Sequence, residues 1–311
     1  MTGTVMHALY SWVFEPGFFS SQPVRVALGL GALTAVVSAL VGVFTVIRGQ
    51  SFGGHALTDV STAGGSGALL LGMTPLAGFV TGGLIGAGAM EMMGARRERG
   101  RDLATGIVLG AATGLSALFL YLDTTAGATT GATQQILFGS IFVIDASTVP
   151  YIVGFGVIAL ALVAATYRPL VLSSLNTDLA SARGVPVRLV GGAYMVAMAL
   201  AVGLSSLAIG TILSTALLIG PAATALRLTK RISHSLLLAA VIGVSATWAG
   251  VLLAYDSYYW GAGGNGWPVS FFIVSAVFAA YLISGLPVVR GFTGRQATQA
   301  TTKEHGCSPL S

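Results

Sequence analysis

Charged residues are scarce in this chain of 311 residues, at 8% of the total against 54% for hydrophobic residues. A soluble domain usually carries about 25% charged residues. The polar surface is therefore too small to coat a water-soluble globule, and the mean hydropathy of +0.85 agrees. This scarcity of charge excludes an ordinary soluble fold and indicates a protein embedded largely in lipid.

Cysteine and lysine are almost absent, with one cysteine, Cys307, and two lysines, Lys230 and Lys303. A single cysteine excludes an intramolecular disulfide framework and a cysteine-rich zinc cluster. Each lysine follows a threonine, so the sequence has no Gly-Lys-Ser/Thr phosphate-binding loop. No basic segment precedes an apolar run at the N-terminus, which argues against a cleaved signal peptide.

Long apolar segments are abundant, and a membrane-spanning helix needs about 20 such residues. The sequence predicts an all-α integral membrane protein, a bundle of about eight to nine transmembrane helices over residues 23–289. An interfacial helix over 1–22 precedes it, and a disordered cytoplasmic tail over 290–311 follows. The 56–73 and 209–226 segments are short and either span fully or are re-entrant. The predicted spans are 26–47, 56–73, 75–93, 103–122, 144–166, 188–208, 209–226, 235–254 and 268–285.

Lysine and arginine residues set the predicted orientation, because they concentrate on the cytoplasmic side of membrane proteins. With the N-terminus outside and the C-terminus in the cytoplasm, fourteen of the fifteen basic residues fall on the inner side. Only Arg25 falls outside. The outer loops 123–135 and 255–267 contain no lysine or arginine. This agreement predicts a multi-pass protein of the cytoplasmic membrane with an odd number of spans.

Three ionisable residues lie inside apolar segments, where such groups are costly and usually functional: His55, Asp59 and Glu91. Positions i and i+4 share one face of a helix, so His55 and Asp59 should present an imidazole and a carboxylate together. That pair suits Zn²⁺, Mn²⁺ or Fe²⁺. Thr58 and Ser61 are candidates for additional oxygen contacts or supporting hydrogen bonds.

Structural alternatives remain open for each of these residues. His55 and Asp59 also fit a neutral histidine that is hydrogen-bonded to a carboxylate and holds two helices together. Glu91 either lines a pathway or reaches the neighbouring basic loop. Its neighbours Met90 and Met92 are potential soft-metal ligands, although methionine is common in apolar packing.

The stretch from Arg48 to Gly64 resembles the signature of the zinc, manganese and iron importer permeases, the ABC-3 family. Ser51, Gly54, His55, Asp59 and Gly64 fall on that frame. Family members place aspartate first and histidine second, whereas here the two residues are swapped at the same spacing. The chain therefore resembles a divergent branch that keeps both chemical groups on one helical face.

Four further segments resemble the family and follow in the family's order. The closest is the Ala-Leu-Leu-Ile-Gly-Pro-Ala-Ala-Thr-Ala helix that contains Pro221. The segments are Asp102–Val108, Ile136–Ser140, Asp178–Gly184 and Ala216–Ala225. The resemblance extends from about residue 25 to residue 285.

This resemblance implies the permease subunit of an ATP-binding-cassette importer that moves a divalent metal by alternating access. It implies no permanently bound cofactor, no ATPase site of its own and no nucleic-acid partner. The implied partners are a cytoplasmic ATPase subunit, an extracellular metal-binding protein and a second permease protomer. Asp178, Arg183 and Gly184 would couple to the ATPase, or else form an ordinary amphipathic loop. Pro221 would kink a pathway helix.

Three other functions compete with this interpretation. A permease for a metal chelate, such as a siderophore or corrinoid, would be longer, with about ten spans and a wider path. An intramembrane enzyme would need separated catalytic groups at membrane depth, and the sequence shows one His–Asp cluster with no accompanying Ser/His or HExxH pattern. A non-transporting scaffold would tolerate replacement of His55 and Asp59.

Overall fold

The computed structural model describes residues 18–94, 98–126, 131–139, 141–260 and 266–286, which form helices joined by short turns, with no strand among them. The interfacial helix expected over 1–22 and the tail over 290–311 lie almost entirely outside the described residues. In chain order the helices are α1 Gln22–Ile47, α2 Ser51–Leu70, α3 Pro75–Gly94, α4 Glu98–Ala126, α5 Ala132–Phe138, α6 Val149–Leu175, α7 Thr177–Ala182, α8 Val187–Ile209, α9 Thr211–Leu228, α10 Ile232–Ser257 and α11 Val269–Gly285.

Each predicted span overlaps one observed helix, and two further short helices, α5 and α7, lie between predicted spans. Six helices are long and apolar enough to cross a membrane, namely α1, the 105–125 part of α4, α6, α8, α9 and α10, and α11 is a shorter apolar helix. The two short segments, 56–73 and 209–226, largely coincide with α2 and α9, which are both unbroken; residues 71–73 and 209–210 lie outside those two helices. The all-helical bundle expected from the sequence is confirmed.

Helix α8 forms the centre of the bundle. Each residue from 197 to 206 is buried, and α8 contacts α1, α2, α3, α6 and α9. A helix that is apolar on all sides is stable only when other helices surround it. Towards the N-terminal end of α8, the Tyr194 hydroxyl lies 2.8 Å from the Thr45 hydroxyl of α1, and the Arg48 guanidinium lies 5.0 Å from the Tyr194 ring centre. These contacts fix α1 to α8.

Helices α2 and α3 form a tight antiparallel hairpin through glycine. A Cβ atom added to Gly78 would overlap the carbonyl oxygen of Gly64, and one added to Gly82 would lie 2.9 Å from the Gly64 Cα. Backbones approach this closely in membranes only where side chains are absent. The hairpin therefore holds α2, which carries His55 and Asp59, rigidly against α3.

A buried one-residue turn at Gly210 separates α8 from α9. Gly210 has φ +86° and packs against Gly139, which has φ +84° and ends α5. An added Cβ on Gly139 would lie 2.5 Å from the carbonyl oxygen of Ala208. Positive φ and this close approach both require glycine, so the two glycines join the end of α5 to the α8–α9 turn.

Candidate functional site

A stripe of polar side chains follows one face of α2. His55, Asp59, Thr62 and Ser66 recur at spacings of four, three and four residues, which is the period of an α-helix. His55 is exposed, Asp59 is half-buried, and Thr62 and Ser66 are buried. The stripe is therefore covered by protein near the end of α2 and open near its beginning, where the ionisable groups lie.

Asp59 is held by the neighbouring helix α4. The Thr113 hydroxyl donates a hydrogen bond of 2.7 Å to the Asp59 carboxylate, and the Ser116 hydroxyl donates one of 3.2 Å to the Asp59 backbone carbonyl. A hydrogen bond to an ionised acceptor is stronger than a neutral one. Thr113 thus orients the carboxylate and leaves its second oxygen atom available for a cation.

His55 lies one turn before Asp59 on the same face, as the spacing predicts, but no hydrogen bond joins the two side chains. In this structure the two side chains are therefore not paired with each other, and the carboxylate accepts a hydrogen bond from Thr113. Among the described residues there is no group of three or more His, Cys, Asp or Glu side chains placed to hold a metal ion.

Thr58 lies beside the face of α2 that carries His55 and Asp59. Ser61 lies on the opposite face of α2. The Thr58 hydroxyl is buried and donates to the Gly54 carbonyl of its own helix at 3.0 Å. Ser61 is directed towards α3 and α8, since an added Cβ on Gly83 would lie 2.7 Å from its hydroxyl oxygen. That oxygen is buried and has no hydrogen-bond partner in the described part of the chain.

Glu91 and Pro221 occupy separate places in the bundle. Glu91 is half-buried near the end of α3, and the adjacent Met90 packs close to Gly53 of α2. Pro221 is buried inside α9, which continues through it to Leu228. Proline lacks an N–H group, so the carbonyl four residues earlier, that of Leu217, loses its helical donor.

The predicted coupling residues lie on a short surface helix, α7. The Asn176 side chain caps α7 by accepting a hydrogen bond of 2.9 Å from the Leu179 N–H. Asp178 in the first turn and Arg183 at the C-cap are both exposed, and Gly184 has φ +77°. An acidic residue near the start and a glycine after the end are favourable helix signals. The segment thus presents a preformed charged surface between α6 and α8.

Helix α4 is attached to the rest of the protomer along one narrow stripe. Of its residues 105–125, the buried ones are Thr105, Ala112, Ser116 and Asp123. Gly106, Gly110 and Gly114 recur every four residues on the open side, and nothing lies within 4 Å of a Cβ placed on any of them. This open glycine stripe adjoins Thr113, and through it the carboxylate of Asp59.

One cavity is separate from these residues. It has a volume of about 800 Å³ and lies between α5, the turn at Gly139 and the facing ends of α10 and α11. Aromatic residues such as Tyr255, Tyr258 and Trp267 line it, and none of the predicted site residues does. Its chemistry is that of an apolar cavity rather than of a cation site.

Thr113 and Ser116 were not identified from the sequence. A Thr-x-x-Ser pair inside a glycine-rich helix is a weak signal, because such hydroxyls usually bond to their own backbone. The Thr113 hydroxyl also lies 2.8 Å from the Leu109 carbonyl oxygen, so its single proton is shared between that oxygen and the Asp59 carboxylate. Only the packing of α4 on α2 reveals the second bond to Asp59.

Comparison with known proteins gives one family and consistent relatives. A model of the ABC 3 transport family matches residues 21–284. The manganese transport system membrane protein MntC of Halalkalibacterium halodurans is 31% identical over 232 residues, which cover 74% of this chain and 78% of that protein. The manganese import system permease protein ScaB of Streptococcus gordonii is 28% identical over 243 residues, covering 78% and 86% of the two chains.

Two solved structures share the fold. PsaBC from Streptococcus pneumoniae in complex with Fab superposes with a TM-score of 0.74 and 25% identity, covering 87% of this chain and 94% of that one. An inward-facing conformation of a putative metal-chelate type ABC transporter gives a TM-score of 0.66 at 16% identity, covering 84% and 86%. The second likeness shows the fold alone.

Proposed function

This chain belongs to the ABC 3 transport family, and we propose on that premise that it forms the metal-conducting subunit of a manganese importer. The observation that carries the proposal is the open face of α2, where His55 is exposed and Asp59 is oriented by Thr113. Ionisable groups at membrane depth are costly and mark ion pathways. The relatives named above are manganese transport or import proteins by name, which supports manganese as the transported metal.

Carboxylate, imidazole and hydroxyl groups suit manganese chemically. Mn²⁺ accepts oxygen ligands readily and tolerates imidazole, whereas a thiolate or thioether set would favour copper or zinc. Asp59 and His55 supply the first two groups, and Thr113 supports the carboxylate at 2.7 Å. Zinc and iron are compatible with the same pair of ligands, whose selectivity is therefore moderate. After binding to these ligands, the metal is released to the cytoplasm.

A second copy of the chain completes the site. The open glycine stripe of α4 lets another helix approach closely, as small residues at four-residue spacing do in membranes. Because the stripe adjoins Thr113, the second copy would cover Asp59 and bring its own His55 and Asp59 to the same conduit.

The remaining partners follow from the two ends of the bundle. The capped surface helix α7, with Asp178 and Arg183 exposed, supplies the contact for a cytoplasmic ATPase subunit. The inner side then holds α7 and the basic turns, and the outer side receives metal from an extracellular binding protein. Closing of the ATPase subunits would move the helices and alternate access to the site. The rigid α2–α3 hairpin would move as one unit.

Metal uptake by cells that express the chain with its ATPase tests the proposal. Asp59→Asn and His55→Ala should each lower manganese uptake by at least about tenfold, because loss of even an outer support of a metal ligand costs 10- to 100-fold. Asp145→Asn, an exposed acidic residue away from α2, is the matched control and should transport normally. Unchanged uptake in both site variants would favour a scaffold, and uptake of a chelate alone would favour the metal-chelate alternative.

A further inference from the structure

A cluster of basic side chains marks the turn between α9 and α10. The cluster, termed here the cationic turn, consists of Arg227, Lys230, Arg231 and His234, and all four side chains are exposed. Lys230, Arg231 and His234 have no hydrogen-bond or ion-pair partner among the described residues. The helix α10 that follows has no acidic residue in its first turn. The positive charge of the turn is therefore uncompensated by nearby described groups.

The local structure holds the cationic turn in a fixed shape. The hydroxyls of Thr229 and Ser235 lie 2.6 Å apart and close the turn. The Arg227 guanidinium lies 3.9 Å from the centre of the Tyr281 ring of α11, a cation–π contact that orders the side chain. Tyrosine at a helix end is typical of the membrane–water interface. The turn is thus placed at headgroup depth.

An apolar stripe continues from the cationic turn along α10. After His234, the exposed positions recur at helical spacing, and they include Leu237 at 67%, Val241 at 55% and Trp248 at 50% exposure. A side chain of this kind on the outside of a membrane helix faces lipid chains. Cationic groups at one end and an apolar stripe below them match the two halves of a phospholipid.

We propose that the cationic turn binds the phosphate headgroup of an anionic phospholipid, whose acyl chain lies along the apolar stripe of α10. Lysine and arginine at the membrane surface attract anionic lipids, and basic groups beside helices bind their headgroups. A peptide partner would match the charge, but it would not contact an apolar stripe that extends into the hydrocarbon region of the bilayer. The site lies on α9 and α10, apart from Asp59, so it is independent of the proposed metal path.

The chain segment beyond α11 carries more basic than acidic residues. It adds Arg290, Arg295 and Lys303, against one acidic residue, Glu304. Its net positive charge does not complement that of the turn. A diffusible lipid is the anion that the membrane supplies at this depth.

Thermal unfolding of the full chain in detergent tests the site directly. Added phosphatidylglycerol should raise the unfolding midpoint more than phosphatidylcholine does, because a ligand stabilises the state that it binds. The double variant Lys230→Gln/Arg231→Gln should bind phosphatidylglycerol about 30-fold more weakly at low salt, since each charge contributes roughly a factor of five. Arg168→Gln, an exposed arginine on α6, is the matched control and should retain the response.

Two further arms identify the ligand. Inorganic phosphate should produce no comparable rise, and Leu237→Asn should lower the response to phosphatidylglycerol by removing part of the acyl contact. If Arg168→Gln lost the response to phosphatidylglycerol equally, the effect would come from the overall positive charge of the protein, and the proposed site would be wrong. If inorganic phosphate raised the unfolding midpoint as much as the lipid does, the proposed contact of the acyl chain with α10 would be wrong. Loss of ATPase co-purification with an unchanged lipid response would assign the turn to a protein partner instead.

Discussion

Thr113 is the side chain that orients the carboxylate of Asp59, the proposed metal ligand. It reaches across from α4 with a bond of 2.7 Å while remaining exposed itself. An exposed hydroxyl bonded to a carboxylate can reorganise when a cation arrives. In the proposed site, Thr113 therefore positions the ligand and does not coordinate the metal itself.

Removal of the Thr113 hydroxyl should weaken transport without unfolding the protein. Thr113→Val keeps the shape and deletes the donor, so manganese uptake should fall by about 10-fold, in the range found for groups that support metal ligands. Thr113→Ser restores the donor and should recover most of the uptake. A purely structural role would instead lower the unfolding midpoint of Thr113→Val and leave the apparent affinity for manganese unchanged.

At the same scale, sequence reasoning located the ionisable pair but not its support. His55 and Asp59 were identifiable because charge in an apolar segment is conspicuous and the i, i+4 spacing fixes a shared face. Thr113 lies 54 residues after Asp59, and nothing local to α4 distinguishes it from the many threonines that bond to their own helix. Ser61 follows Asp59 by two residues, which suggested that it lies near the pair. In the structure its side chain is directed towards α8.

The α2–α3 hairpin shows how glycine sets the position of a whole element. Gly64, Gly78 and Gly82 bring the two backbones into direct contact, so the distance between the helices is fixed by peptide atoms rather than by side chains. Not every glycine of the hairpin takes part in this contact. Gly88 of α3, for example, faces open space.

Gly78→Ala tests that assignment against Gly88→Ala on the same helix. The added methyl group at Gly78 would overlap the Gly64 carbonyl, and overpacking of this kind costs about 1–3 kcal/mol. The methyl group at Gly88 meets nothing within 4 Å and should be neutral or slightly stabilising. Unfolding midpoints of the two purified variants give the comparison. Equal midpoints would show that α2 and α3 separate easily.

The α8–α9 turn depends on Gly210 in a different way. Its φ of +86° is costly for a residue with a side chain, by about 1–2 kcal/mol, and the methyl group would also overlap the Leu137 carbonyl of α5. Gly210→Ala should therefore lower the unfolding midpoint. Gly191→Ala, in the same helix α8 and in open space, serves as the control, and a similar loss in both would contradict a special role for the turn.

For the whole molecule, hydropathy and charge patterning predicted the fold well. Each predicted span corresponds to a helix because the bilayer requires every backbone group to be bonded within its own segment. The order in which the helices pack was not accessible in this way, since a helix such as α8 is apolar on all sides and has no preferred face in the sequence. The central position of α8 follows only from the contacts.

Assembly of two copies through α4 can be tested by cross-linking. In a Cys307→Ser background, Gly110→Cys on the open glycine stripe should form a disulfide-linked dimer under mild oxidation in membranes. Val157→Cys on the exposed face of α6 should remain monomeric. Cross-linking of the second variant but not the first would move the contact between copies to α6 and separate it from Asp59.

Because only four side chains of α4 are buried along 105–125, it is the least buried of the six long apolar helices, and its Thr113 supports the proposed metal ligand. Local opening free energies are smallest where buried contacts are few. In an unassembled subunit, the hydrogen bond from Thr113 to the carboxylate of Asp59 would then be lost first. Such a subunit would not bind metal prematurely, and membrane proteases would degrade it quickly. Completion of the complex and competence for transport would arise in a single step.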